Sequence, residues 1–220
     1  MISAATALVI LGATVAPFLT PAFVRFEQDR TGVGNLTGFD SGELDVVTGS
    51  LLGDLVLWRG DFRVAIDGVP VLSDRERGHM LDVRGVFAGF FAMALAGAAI
   101  LAFAFARARG TEARTAAWRS IAGGARALAV IIVVAGAFVL LAFDAAFEVF
   151  HRLFFSAGSY TFDPHTDRLV QLFPEQFWSE TAVIVGAVML GVAILTAWQA
   201  GRRAAVTRGV PMLAPFEARG

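Results

Sequence analysis

"VFAGFFAMALAGAAILAFAFA", residues 86–106, contains neither a charged side chain nor a polar one. An α-helix needs roughly 20 mostly apolar residues to cross the hydrocarbon of a bilayer. The stretch therefore reads as a transmembrane helix, and three others of the same kind lie around it: "ISAATALVILGATVAPFLTPAFV" (about 2–24), "ALAVIIVVAGAFVLLAF" (127–143) and "TAVIVGAVMLGVAILTAW" (181–198). Pro17 and Pro21 predict a bend at the far end of the first. That first segment lacks a cationic leader, and its apolar run exceeds the roughly 7–15 residues of a signal h-region, so it reads as a retained span. The expected fold class is an all-α membrane protein: four transmembrane helices with a small extracytoplasmic α/β cap between spans one and two, forming one domain over residues 1–220.

Composition agrees. The 220 residues are 56% hydrophobic, with a mean hydropathy of +0.66 and a formal net charge of -1. No basic excess or groove-reading motif suggests nucleic acid. With no cysteine, the chain has no disulfide, no thiolate nucleophile and no thiolate metal site.

Arginine distribution predicts orientation. Arg107, Arg109, Arg114, Arg119 and Arg126, between spans two and three, face only Glu112; the C-terminal tail holds Arg202, Arg203, Arg208 and Arg219 against Glu217. Both segments belong in the cytoplasm on this rule, with both chain ends. Segments 25–84 and 144–180 then lie outside. In the first of these, "LVLW" (55–58), "FRVAI" (62–66) and "VPVL" (69–72) have strand-like composition, and Asp67-Gly68 is a hairpin signal.

This topology brings two distant histidines to one bilayer surface. His79, in "ERGHMLDVR", precedes span two by a few residues; His151, in "FEVFHRLFF", follows span three. Each has acids at helical spacing: Glu76 and Asp82 around His79, Asp144 and Glu148 before His151. A carboxylate beside an imidazole fixes its tautomer and raises its basicity, as a general base requires. Ionisable groups so near lipid suggest a functional site. Arg84 and Arg152 are candidates to hold an anion or a carbonyl oxygen, whereas His165, after Pro164, reads as a surface residue. No G-x-S-x-G elbow, Walker loop or H-E-x-x-H motif is present. Two histidines and a carboxylate could hold zinc, but their spacing is not diagnostic of metal, so no metal ligand is assigned. Histidine base catalysis at a lipid–water boundary is the favoured chemistry. A non-enzymatic membrane scaffold or transport subunit and a zinc-dependent membrane hydrolase are the alternatives.

Glu76 to Arg84, together with "FHRLFF…YTFDPHTDRLVQLFPEQFW", resembles the two signature blocks of the four-span membrane proteins of the Lit family, the lipoprotein intramolecular transacylases. His151, Phe155, Asp163, Pro164, Asp167, Leu169, Phe173 and Pro174 keep the family spacing, while Tyr160 stands where tryptophan is expected. The resemblance implies a bacterial cytoplasmic-membrane acyltransferase whose site faces outward. It would move the sn-2 acyl chain of a lipoprotein's diacylglyceryl group to the α-amine of the same N-terminal cysteine, giving the lyso form. Implied partners are diacylated lipoproteins and membrane phospholipid; no cofactor is implied. His151 would be the principal base and His79 its assistant. Asp82, Glu148, Glu76, Arg84, Arg152, Tyr160 and Asp163 are expected to orient the imidazoles or bind substrate.

Overall fold

The structure, a computed structural model, describes residues 1–207; Arg208, Glu217 and Arg219 of the expected cytoplasmic tail lie outside the described residues. It is built mostly of helices. Three of them are long and apolar enough to cross a membrane: α5 (Asp74–Arg107), α6 (Thr111–Leu141) and α9 (Glu175–Val206). At ~1.5 Å per residue, the 34 residues of α5 reach about 51 Å, well beyond a hydrocarbon core of about 30 Å. The surplus includes its polar first turns, and these carry Glu76 and His79 clear of the apolar stretch. Ser73 starts the helix: its hydroxyl accepts from the Glu76 backbone N–H while the Glu76 carboxylate accepts from the Ser73 backbone N–H.

The first expected span takes a different form. α1 (Ile2–Val15) ends in a single 3-10 turn, Ala16–Phe18, and the chain then bends by 66° into α2 (Pro21–Arg30). Pro17 and Pro21 cause the break, since neither supplies the amide N–H that continuation of a helix needs. The pair reaches spanning length only when both arms are counted together.

Close packing of α1 against α5 and α6 rests on small residues, as expected where lipid removes the hydrophobic drive between helices. A Cβ on Gly97 would stand 2.9 Å from the Ala5 carbonyl oxygen, and one on Gly124 would lie under 3.0 Å from the backbone of Ser3. Large apolar side chains face outward along the same helices, among them Leu95, Phe103, Val134 and Leu140. In a water-soluble domain that arrangement would be a defect; against lipid it is the ordinary surface.

A second, inward-packed core sits beside the histidine end of α5. Val33, Leu44, Val47, Leu51, Phe62, Leu72, Leu172 and Phe177 are buried together there. They come from α3 (Val33–Thr37), α4 (Ser41–Leu57), the loops after α4, α8 (Arg168–Leu172) and the start of α9, and Val24 joins them from α2. "LVLW" is not a strand: residues 55–57 close α4, and Trp58 caps it in the left-handed region, φ 54. The reason is legible in hindsight. Asp40 and Glu43 form a capping box, and Leu44, Val47, Leu51, Leu52 and Leu55 recur at helical spacing. The hairpin does form, but it is minimal: β1 (Ala65–Ile66) pairs antiparallel with β2 (Val69–Pro70), with Asp67 and Gly68 both at positive φ. The segment between α2 and α5 is thus chiefly helical.

Candidate active site

α6 stops at Ala142, whose φ of -151 and ψ of 58 break the helix, and α7 (Phe143–Phe154) follows at once. α7 carries His151 near its C-terminal end. His79 comes from the second turn of α5. The two rings meet almost parallel, with centroids 6.1 Å apart and planes 20° from one another. Both residues are buried, at 7% and 8% exposure.

Aromatic side chains surround the pair. Phe155 lies 4.7 Å from the His79 ring and 5.4 Å from that of His151, so it touches both. Phe162 meets His79 edge-on at 5.5 Å, while Phe147 and Tyr160 lie 4.0 and 5.1 Å from His151. Such walls exclude water and raise the cost of holding charge.

The hydrogen bonds separate the roles of the two imidazoles. His151 Nδ1 lies 2.8 Å from the carbonyl oxygen of Phe147. A carbonyl can only accept, so Nδ1 carries the proton and the neutral ring presents Nε2 as a lone pair. His79 Nδ1 is buried and makes no hydrogen bond among the described residues. Burial, and then the charge His151 would carry, hold the His79 ring down to about 4, with Asp82 opposing weakly. At neutral pH His79 is therefore an uncharged imidazole.

The other expected site residues are deployed as follows. Glu148 accepts from Arg152 Nε at 2.7 Å and from the Tyr160 hydroxyl at 3.4 Å, and does not hydrogen-bond to His151. Asp82 is exposed and influences His79 through its charge alone. Arg84 donates to the Gly60 carbonyl at 2.7 Å and lies over the Trp58 ring at 4.4 Å, which ties α5 to the end of α4. Asp163 accepts from the His165 N–H at 2.9 Å in a turn closed by Asp167, whose carboxylate takes the Asp163 N–H at 2.7 Å. Glu76 is 2% exposed. One of its oxygens takes the Ser73 N–H and hydroxyl, each at 2.7 Å, and the other takes the Leu169 N–H at 2.6 Å. It binds the start of α5 to α8 rather than to an imidazole. The chain from residue 155 to 169, which supplies Phe155, Tyr160 and Phe162, is thereby pinned over the histidines.

Two contributors escaped the sequence reading. The Phe147 carbonyl holds the His151 tautomer, a backbone role that no side-chain pattern announces. Arg75 pairs with Asp167 at 2.7 Å while its guanidinium covers the Phe162 ring at 4.7 Å, steadying the aromatic wall beside His79. Among the described residues no group of three or more His, Asp or Glu side chains is placed to hold a metal ion.

The arrangement can take a proton at one nitrogen, keep a second imidazole neutral beside it, and shelter both from water. Comparison with known proteins gives that chemistry a context. The family profile described as lipoprotein intramolecular transacylase Lit matches residues 1–178. Among solved structures, the in meso structure of Lit from Bacillus cereus superimposes with a TM-score of 0.74 at 20% identity, covering 94% of each chain. Two further structures of the Bacillus cereus protein carry one histidine replaced by arginine or by alanine. The first gives a TM-score of 0.66 at 19% identity, covering 94% of this chain and 90% of that one. The second gives 0.65 at 20% identity, covering 94% and 92%. No curated protein matches the chain.

Proposed function

The chain belongs to the lipoprotein intramolecular transacylase family, Lit, and from that premise we propose that His151 and His79 carry its acyl transfer. The family is one of acyltransferases that act on lipoproteins within the membrane. In the proposed reaction the free α-amine of the lipoprotein's N-terminal cysteine attacks the carbonyl carbon of the sn-2 ester on the diacylglyceryl group of the same molecule. His151 Nε2 takes the proton that the amine loses. As the tetrahedral intermediate collapses, the ester C–O bond breaks, the amide C–N bond is complete, and the proton passes from His151 to the departing glycerol oxygen. Nothing is consumed, and the product is an N-acyl, S-monoacylglyceryl lipoprotein.

One observation carries the assignment: the Phe147 carbonyl on His151 Nδ1 leaves Nε2 as the basic nitrogen. An amine with a pKa near 8 needs such a base to attack at neutral pH. His79, uncharged and lacking a hydrogen-bond partner at Nδ1 among the described residues, suits a donor to the ester carbonyl as negative charge develops there. Because amine and ester share one molecule, orientation alone supplies much of the rate; effective molarities of about 10⁵–10⁸ M are attainable. The aromatic wall of Phe155, Phe162 and Tyr160 suits the glycerol and acyl portions. No protein nucleophile or cofactor is required.

We further propose four crossings, with α1 and α2 together serving as the first, both ends of the chain in the cytoplasm and the histidines at the outer surface. The clustering of arginines at the ends of α5, α6 and α9 remote from the histidines supports that orientation. The test is mass spectrometry of the N-terminal lipopeptide of a reporter lipoprotein in a host lacking its own N-acylating enzymes. The rearrangement conserves mass, so fragmentation must locate the chain. An amide-linked chain with wild type and a diacylglyceryl peptide with His151→Ala are expected; amide-linked product from His151→Ala at the wild-type rate overturns the mechanism.

A further inference from the structure

A second site lies at the opposite end of the helices. There α6 and α9 enclose an open groove of about 560 Å³, lined by Trp118, Trp198, Gln199, Arg202, Arg203 and Val206 among others. The Arg202 guanidinium lies over the Trp198 ring at 4.9 Å, and that of Arg203 over the Trp118 ring at 5.3 Å. Trp118 is itself held edge-on by Phe105 at 4.8 Å and packs against Ile121, Ala122 and Ala200. Two adjacent arginines are thus seated on two separate indole faces in one groove. Neither has an acidic or hydrogen-bonding side-chain partner among the described residues.

We propose that this groove binds the phosphodiester headgroup of an anionic membrane phospholipid. Stacking on an indole occupies the plane of a guanidinium and leaves its N–H edge free, and that edge matches phosphate oxygens in a bidentate manner. The surroundings favour an anion: Arg107, Arg109, Arg114 and Arg119 lie at the same end of the molecule, against Glu112. The surface beside the groove favours a lipid over a soluble phosphate. Ile194 and Leu195 are exposed on α9 one to two turns toward the bilayer, and would lie along acyl chains hanging below the headgroup. Gln199 adds an amide that can donate to a headgroup hydroxyl. The site is independent of the acyl-transfer reading, since none of its residues approaches the histidines.

Full-length protein in detergent micelles, titrated with phosphatidylglycerol, phosphatidylcholine or soluble glycerol phosphate and followed by native mass spectrometry, tests this. Wild type is expected to retain one phosphatidylglycerol in preference to phosphatidylcholine. The double variant Arg202→Gln, Arg203→Gln is expected to bind it on the order of thirtyfold more weakly, a factor of about five for each basic side chain. A matched loss of charge outside the groove, Arg109→Gln with Arg119→Gln, is expected to change the affinity less than threefold. Equal weakening in both double variants would mean diffuse attraction and overturn the site. Retention of soluble glycerol phosphate as tight as that of the lipid would overturn the lipid as its occupant. Unchanged binding in Arg202→Gln, Arg203→Gln would overturn both.

Discussion

Replacing Glu76 distinguishes a fastening role from a catalytic one. Its buried carboxylate receives three hydrogen bonds of 2.6–2.7 Å, two from Ser73 and one from the Leu169 N–H. Bonds to a charged group contribute about 1.5–3 kcal/mol each, and leaving the buried Leu169 N–H unmet costs about 1–3 kcal/mol. These terms overlap, and about 3–5 kcal/mol is the value expected for Glu76→Ala, in the upper range of single-residue losses because a buried hydrogen-bond network is broken. For a chain of this size about 2–4 °C is lost per kcal/mol, so thermal unfolding in detergent should fall by roughly 6–20 °C. Glu76→Gln keeps one carbonyl oxygen for Leu169 and should lose about a third of that. Lipopeptide turnover at a temperature where both variants remain folded should track the stability loss, with Glu76→Gln the more active. If Glu76→Gln melts with wild type yet loses transacylation, Glu76 acts in the chemistry and the fastening role is wrong.

Three other outcomes follow from the same geometry. Gly124→Ala places a methyl group against the Ser3 backbone, which cannot move without shifting α1; it should cost about 1–3 kcal/mol in thermal unfolding, whereas Gly123→Ala, which meets nothing within 4 Å, should not. The His79 ring, held to about 4 by burial and by His151, should show no protonation in histidine NMR between pH 8 and 5.5, and a transition near pH 6.5 would refute its neutrality. Because its folded value lies below the ordinary 6.5, the contribution of His79 to stability is complete above pH 6.5 and is lost as pH falls through 4. Tyr160→Phe removes the 3.4 Å bond to Glu148 but keeps the ring against His151; turnover should change less than about tenfold, since such a bond contributes about 0.5–1.5 kcal/mol at most. A greater loss would make the hydroxyl a participant.

What could be read from the sequence divides along physical lines. Long uncharged runs specify helices locally, so α5, α6 and α9 were legible, and so was the meeting of His79 with His151 at one end of them. Asp67-Gly68 specified its turn for the same local reason. The strand-like composition of "LVLW" misleads because the capping box at Asp40 and Glu43 opens a helix that runs into it. Ser73 and Glu76 form the same pattern, which marks Glu76 as a helix cap from local sequence alone. The rest depends on tertiary contact. Whether Glu148 faces His151 or Arg152 turns on rotamers, and the bond from Glu76 to Leu169 joins residues that no local pattern relates.

The loop joining α5 to α6, residues 108–110, lies at the end remote from the histidines. A cut there would divide the chain into two pieces, each with one of the paired imidazoles and neither with the whole of the proposed site. His79 leaves the ribosome first, but its partner and the aromatic wall arrive only after two more helices have been made, and Leu169 later still. On the proposed mechanism acyl transfer is thus withheld until the chain has been made as far as Leu169, and a half-inserted chain lacks the imidazole pair that would assist the amine. The same division makes the enzyme suited to fragment complementation, in which turnover reports the reunion of two inert halves.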